Sequence, residues 1–445
     1  MASKQSSEQS PDMSGAKLSP AMEQYMGFKR QHEDAILFFR MGDFYEMFFD
    51  DAREASRLLG LTLTSRNHGK TSGNIPLAGV PHHAMEGYVA RLIGMGRKVA
   101  ICEQVEDPKT AKGIVKRDVV EVVSPGTALS DAMLDGQRNN YTASICIVGD
   151  RVGLAWVDLS TGDFSIDEIP HTELGDELER TAPAELLVGD SFSASVLERL
   201  MRILPGAAHT HIDDWHFERE TSRRVLLEQF KVRSLKGFDC EDLDAGVRAA
   251  GAALAYLQDN QRAAVTHIHR LRRRRREDCL LLDATAQRNL DLLVNQQDGG
   301  RDGTLLSVID RTRTVMGARL LRQWLTAPLR APTAIISRHD AVAAIVAERP
   351  GRALLRQHLE RVGDLERMMA RICCRRASPR DLTGLASSLE ALPDLAAATI
   401  AFRATLLQQL GSTEQLPLAE DLVALLRAAL VDEPPAALTD GGIIR

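Results

Sequence analysis

The sequence predicts two successive α/β units followed by a mainly α-helical one. Three observations carry this. Short apolar runs alternate with helix-periodic segments up to about residue 130. Three strand-like runs between Tyr141 and Ile169 are then punctuated by Gly149-Asp150 and Gly162-Asp163. Beyond about residue 280 the strand signal fades, and Leu, Ala and Arg at helical spacing take over.

The first unit is expected over residues 17–130, after a disordered polar tail of residues 1–16. "AILFFR", Ala35 to Arg40, is a short apolar run and predicts a buried strand. A helix is expected from Phe44 to about Leu59, closed by Gly60. Asp43 is its expected N-cap, and Glu46, three residues on, completes a capping-box-like pair. Its core stripe is Tyr45, Phe48, Ala52, Ala55 and Leu59. At about 100° per residue, Phe44 lies roughly 60° off that stripe and Glu46 roughly 140° off. Both can therefore face away from the core. "IPLAGVPHH" reads as a loop into a helix over His83 to Met95, and "KVAICEQ" as the strand that follows. "DVVEVV" is a further strand, stopped at Ser124-Pro125-Gly126.

Residues 131–140 are the expected linker, and 141–265 the second unit, a β-meander with helices and short strands after it. The helical unit covers 266–445. In it, Gly317, Leu320, Leu321 and Trp324 form an apolar stripe that stops before Pro328. Ser378, Pro379 and Asp381 make a helix start: cap, first-turn proline and first-turn acid. "ALTDGGIIR" ends on a Gly-Gly turn.

The chain has 445 residues, 44% of them hydrophobic, and a net charge of −6. No overall basic field points to nucleic acid, although a local patch can still bind it. No apolar run approaches the roughly 20 residues of a membrane span. The polar N-terminus has no signal-peptide core. The six cysteines show neither C-x-x-C nor zinc spacing, so reduced thiols in the cytosol are expected.

Several stretches resemble reactive sites in part. Gly69-Lys70-Thr71 ends like a phosphate-binding loop, but Thr64 stands where that loop needs its first glycine, and no other Gly-Lys pair occurs. His209, His211, Asp213, Asp214 and His216 contain a His-x-His spacing without a partner cluster. Asp158, in "DLSTGD", resembles the acidic turn of ribonuclease-H-like folds. A two-metal hydrolase needs further converging carboxylates, which no motif supplies. Arg272 to Arg276 is expected as a solvated stretch entering a strand.

"FFRMGDFYEMFFDDAREASRLLGLTLTSR", "IPLAGVPHHAMEGYVARLI", "VAICEQVEDP" and "SPGTALSD" resemble the mismatch-binding domain of the bacterial MutS family. "LLDATAQRNLDLL", "GTLLSVIDRTRTVMGARLLRQWL" and "PLRAPTAIISRHDAV" resemble its central core domain. The resemblance runs from about residue 18 to the end. It implies an α/β mismatch-binding domain, a ribonuclease-H-like connector without nuclease activity, and the first part of a helical lever.

It further implies that Phe44 and Glu46 probe mispaired or unpaired bases in duplex DNA. Met41 and Tyr45 support Phe44, and Arg66, Lys70, His82 and His83 are placed to meet the DNA backbone. Glu46 either accepts a hydrogen bond from a base N–H or, protonated, donates one to a ring nitrogen. Burial and nearby phosphates favour the second mode. Family members act as dimers in the bacterial cytoplasm, at the nucleoid, with a MutL-type repair partner. Their clamp and ATPase domains are not among these residues. The expectation is a truncated chain without a cofactor of its own, ATP and Mg2+ belonging to the ATPase domain. The alternatives are a non-catalytic module that binds repair partners, and a hydrolase centred on Asp158.

Overall fold

In the computed structural model the described residues are 19–67, 74–106, 113–435, 438 and 441–445. The tail, and Gly69, Lys70 and Thr71, lie outside them. The chain divides into two compact units at Val123/Ser124.

The first unit is built on one six-stranded mixed sheet. Its strands are β1 (Ala35–Met41), β2 (Phe44–Phe48), β3 (Thr64–Asn67), β4 (Asn74–Pro81), β5 (Lys98–Gln104) and β6 (Arg117–Val123). They lie in the order β3-β4-β2-β1-β5-β6. The helices are α1 (Pro20–Gln31), α2 (Phe49–Leu59) and α3 (Met85–Gly94). Met22 and Tyr25 of α1 share a core with Leu37, Phe39, Phe48 and Ile75 on one sheet face. α2 ends as expected, with Gly60 in the left-handed region donating its N–H to the Ser56 carbonyl.

Two expectations fail here. Phe44 to Phe48 is a strand, so Asp43 caps no helix and Glu46 is not a capping-box residue. Aromatic residues fit a pleated, half-buried surface better than a helix start, and strand pairing on both sides overrides the cap-like Asp and Glu. "IPLAGVP" is likewise strand β4 rather than loop, paired with both β2 and β3. Its prolines and glycine hide the strand signal in the sequence.

The second unit holds another six-stranded sheet. Its strands are β7 (Thr142–Val148), β8 (Arg151–Asp158), β9 (Asp163–Pro170), β10 (Glu185–Gly189), β11 (Ala208–Ile212) and β12 (Arg272–Arg273), in the order β11-β10-β7-β8-β9-β12. The meander β7-β8-β9 is antiparallel, as expected, and β10 and β11 add in parallel to β7. Helices α4 (Leu174–Thr181), α5 (Ala194–Ile203), α6 (Arg219–Phe230) and α7 (Asp244–Gln261) accompany it. α7 is buried along its length on small residues, including Ala249, Ala250, Ala252 and Ala253. It lies so close to β8 that a Cβ on Gly153 would stand 2.0 Å from the Ala245 carbonyl.

Ser124 to Leu129, assigned from the sequence to the first unit, is buried in the second. Its anchor is Glu185, fully buried, which accepts hydrogen bonds from Gly126 N (3.1 Å), Thr210 Oγ1 (2.6 Å), Tyr256 Oη (2.6 Å) and Ser124 Oγ. The expected linker 131–140 is tied down as well. Arg367 donates to the carbonyls of Asp135 and Arg138, Arg319 donates to that of Gly136, and Asp131 pairs with Arg371.

The rest is helical: α8 (Ala284–Asn289), α9 (Leu305–Ile309), α10 (Val315–Thr326), α11 (Pro332–Ala347), α12 (Arg349–Leu359), α13 (Leu365–Cys373), α14 (Pro379–Glu390), α15 (Leu392–Ile400), α16 (Thr405–Leu410) and α17 (Glu420–Ala429). Ser378 and Asp381 form the capping box expected of α14. The stripe expected on α10 is not its buried face: Leu320 and Trp324 are exposed, while Ala318 and Arg319 are buried. Arg319 turns inward because its guanidinium finds Asp364 at 2.7 Å and Glu366 at 2.6 Å.

The arginine run enters strand β12 as expected, with Arg272 and Arg275 exposed, but every one of its side chains is also ion-paired. Arg272, Arg273, Arg274 and Arg275 pair in turn with Asp163, Asp242, Glu177 and Asp239. Arg276 pairs with Glu173 and Glu177. The strand pairing of β12 with β9 sets these residues over acids the sequence holds far away.

Candidate nucleic-acid interface

Gly42 and Asp43 form a two-residue turn, with Met41 pairing directly with Phe44 across it. Gly42 has φ +61°, the left-handed geometry such tight hairpins need at a central position. After the turn, side chains alternate between the two sheet faces. Tyr45 and Met47 go to one face and are buried; Phe44, Glu46 and Phe48 go to the other. Phe48 is buried beneath α1, Glu46 is half-buried, and Phe44 is 48% exposed. The strand thus sets an aromatic ring and a half-buried carboxylate on one face, beyond the part of it that covers Phe48, with one Glu46 carboxylate oxygen buried. A helix would have set them about 200° apart.

The end of β2 is fixed by one phenol and one buried acid. Tyr25 Oη accepts from Phe48 N–H at 3.2 Å and donates to Asp51 at 2.8 Å. Asp51 also accepts from Leu37 N at 3.1 Å and meets Lys29 at 2.9 Å. α1, β1, β2 and α2 are joined at this point. Phe49 follows with φ +54°, an unfavourable value for a bulky residue, which this anchor holds in place.

Beneath the turn, Tyr45 donates to Glu103 and its ring stacks on His82, with centroids 5.8 Å apart. Arg40 lies 5.4 Å from the same ring. Burial, with Glu103 as acceptor and negative neighbour, raises the Tyr45 phenol well above its ordinary range, so it remains a donor. Met41 receives a guanidinium N–H of Arg117 at its sulfur, 3.3 Å away. Arg117 is 8% exposed, also donates to the Arg40 carbonyl at 2.8 Å, and lies over the Phe39 ring at 4.8 Å.

Met41, Phe44, Tyr45, Glu46 and His82 therefore gather around one hairpin. His83 is exposed on the short 3-10 turn His82–Ala84. Arg66 pairs with Ile75 through the backbone, its side chain being outside the description, and Lys70 lies outside the described residues. Sequence reasoning overlooked Arg40, Glu103 and Arg117. The Gly42-Asp43 turn signal, followed by a period of two, was the cue that would have revealed the pairing.

Other candidate sites do not assemble. Asp158 is fully buried, and its oxygens accept from Asn139 Nδ2 (2.9 Å), Asn140 N (3.1 Å), Ser160 N (2.9 Å) and Ser160 Oγ (2.7 Å). It secures the meander turn and faces no open cleft. His209 bonds the Leu204 carbonyl, and the His216 ring stacks on Trp215 at 3.6 Å. Among the described residues no three metal-binding side chains stand together. None of their helices is long and apolar enough to cross a membrane. All six cysteines are free thiols.

Comparison with known proteins places the chain in a family. The chain matches family models described as MutS domain I over residues 19–132, MutS domain II over 140–269 and MutS domain III over 285–445. It is 44% identical over 437 residues to the curated DNA mismatch repair protein MutS of Symbiobacterium thermophilum. That match covers 97% of this chain and 50% of the relative, so the chain spans about half the length of the curated relative it matches.

Proposed function

This chain belongs to the MutS family, and on that premise we propose that its first unit recognises mispaired or unpaired bases in duplex DNA. In this reading Phe44 wedges beside the lesion and Glu46 hydrogen-bonds the displaced base. The observation that carries it is the placement of Phe44, 48% exposed, beside half-buried Glu46 on one strand face.

A folded chain gains by burying phenylalanine, and half-exposing the ring forgoes about 1 kcal/mol. Bound DNA recovers this. Stacking a base on an aromatic ring contributes about 1–3 kcal/mol and does not depend on base identity. Unstacking a matched step costs a few kcal/mol, whereas a mispaired step has already lost part of that stability and bends more readily. Selection therefore rests on deformability rather than on a sequence code. Glu46 accepts from a base N–H or, protonated, donates to a ring nitrogen. Its negative charge also disfavours the phosphate-lined groove of a matched duplex.

Met41 and Tyr45 hold the hairpin, while Arg66, Lys70, His82 and His83 meet the backbone. In a protein of the relative's full length, the same reading includes a homodimer, a MutL-type partner and ATP-dependent control with Mg2+, acting in the bacterial cytoplasm. No step proposed for Phe44 or Glu46 runs through ATP.

The test is a gel shift with matched, G·T and single-unpaired-base duplexes. The wild-type chain is expected to prefer the defective duplexes, and Phe44→Ala to lower that preference about tenfold or more. Equal preference in Phe44→Ala would sink the wedge assignment.

A further inference from the structure

Gly79 stands in the interior of β4, directly opposite Glu46 on β2. Directly paired residues share a sheet face. Ala78 and Val80, on either side, are buried on the other face, whereas Gly79 is exposed. A Cβ built on Gly79 would lie 3.8 Å from Glu46 Cγ, 4.0 Å from Phe44 Cδ1 and 3.5 Å from the Tyr45 carbonyl oxygen. Those are ordinary van der Waals distances. Nor does Gly79 adopt the left-handed φ seen at Gly42 and Gly60.

The fold therefore does not require glycine at this position. Gly153 of β8 provides the contrast: there a side chain would penetrate the α7 backbone at 2.0 Å. Glycine inside a strand weakens it, and without an internal reason it marks a place where an external body approaches closely. Phe44 and Glu46 converge above this bare floor, each within 4.0 Å of where a side chain would begin.

We propose that Gly79 is a specificity-determining position: it keeps the floor between Phe44 and Glu46 clear, so that the edge of a defective DNA base pair seats against the sheet. This rests on the reading of Phe44 and Glu46 given above. A side chain at residue 79 would fill the seat, and one larger than alanine would also press on the ring and the carboxylate. Gly79 acts through those two groups and on the space the DNA needs.

The experiment compares wild type, Gly79→Ala, Gly79→Val and Phe44→Ala. Each 445-residue chain is titrated with a matched duplex and with one carrying a single unpaired base, and its thermal midpoint is recorded. The ratio of the two affinities is expected to fall with side-chain size: a few-fold for Ala and about tenfold or more for Val. The melting temperature should stay at or above wild type, because a β-branched residue suits a strand. A wild-type ratio in Gly79→Val, with the ratio lost in Phe44→Ala, would overturn this proposal alone. A lost ratio accompanied by a lowered melting temperature would also overturn it, since the role would then be structural. A ratio retained in Phe44→Ala would instead overturn the reading on which it rests.

Discussion

The β1–β2 and β7–β8 hairpins turn on the same Gly-Asp pair and put their strands to opposite uses. Gly42-Asp43 leads into a strand that exposes Phe44 and half-buries Glu46. Gly149-Asp150 leads into β8, in which every residue after Arg151 is buried. Where β8 ends, Asp158 spends its carboxylate on four donors of its own chain. An acid committed in that way holds a fold together. A ring left half in water beside a carboxylate is, in the proposed reading, placed for something outside the chain.

The comparison predicts that the second hairpin affects stability and the first affects binding. The largest stability effect is expected from Gly153→Ala, whose new methyl meets backbone rather than a yielding side chain. Denaturant unfolding should show a loss of about 3 kcal/mol or more. A loss below about 1 kcal/mol would mean that α7 and β8 are not locked together as described.

Glu177→Gln follows. Burial alone would raise the Glu177 carboxyl, but Arg180, Arg274 and Arg276 outweigh it and hold the group below its ordinary range. Neutralising it strands two largely buried guanidinium groups, at a cost of about 3 kcal/mol. Because the folded pKa is depressed, this stabilisation is complete above the unfolded value of about 4.3 and is lost as pH falls through the folded one. A stability–pH curve for Glu177→Gln should be flatter than wild type on that acid limb; an unchanged limb would contradict the pairing.

Asp158→Ala orphans buried donors and should cost about 2–3 kcal/mol. It should leave the preference for defective DNA intact in chains that remain folded, and a selective loss of that preference would break the contrast between the hairpins. Phe44→Ala comes last, with a stability loss of at most about 1 kcal/mol because only about half of the ring is buried.

The sequence makes the three-part succession of elements legible, together with the meander, β1, β5, and the Ser378–Asp381 cap. At the hairpin it misleads for a physical reason. Tyr45, Phe48, Ala52, Ala55 and Leu59 are all buried, as a helical stripe would be. Yet Tyr45 and Phe48 are buried on opposite faces of a sheet, a pattern that helical spacing imitates. The Gly-Asp that marks a turn at residue 149 is masked at residue 42 by an acid pair resembling a capping box. Arg319 was illegible for another reason: its burial depends on Asp364 and Glu366, far away in sequence. Phe44 and Glu46 were legible as a pair only through family resemblance, and their shared face only through strand pairing.

The central claim is that the Phe44 ring stacks at the lesion, and 2-aminopurine fluorescence tests it most directly. The probe is placed beside a single unpaired base and titrated with wild-type and Phe44→Ala chains under conditions where both bind. The account predicts a fluorescence change with wild type that is absent or much reduced with Phe44→Ala, and little change with either on a matched duplex. The same signal from both chains on the defective duplex would contradict it.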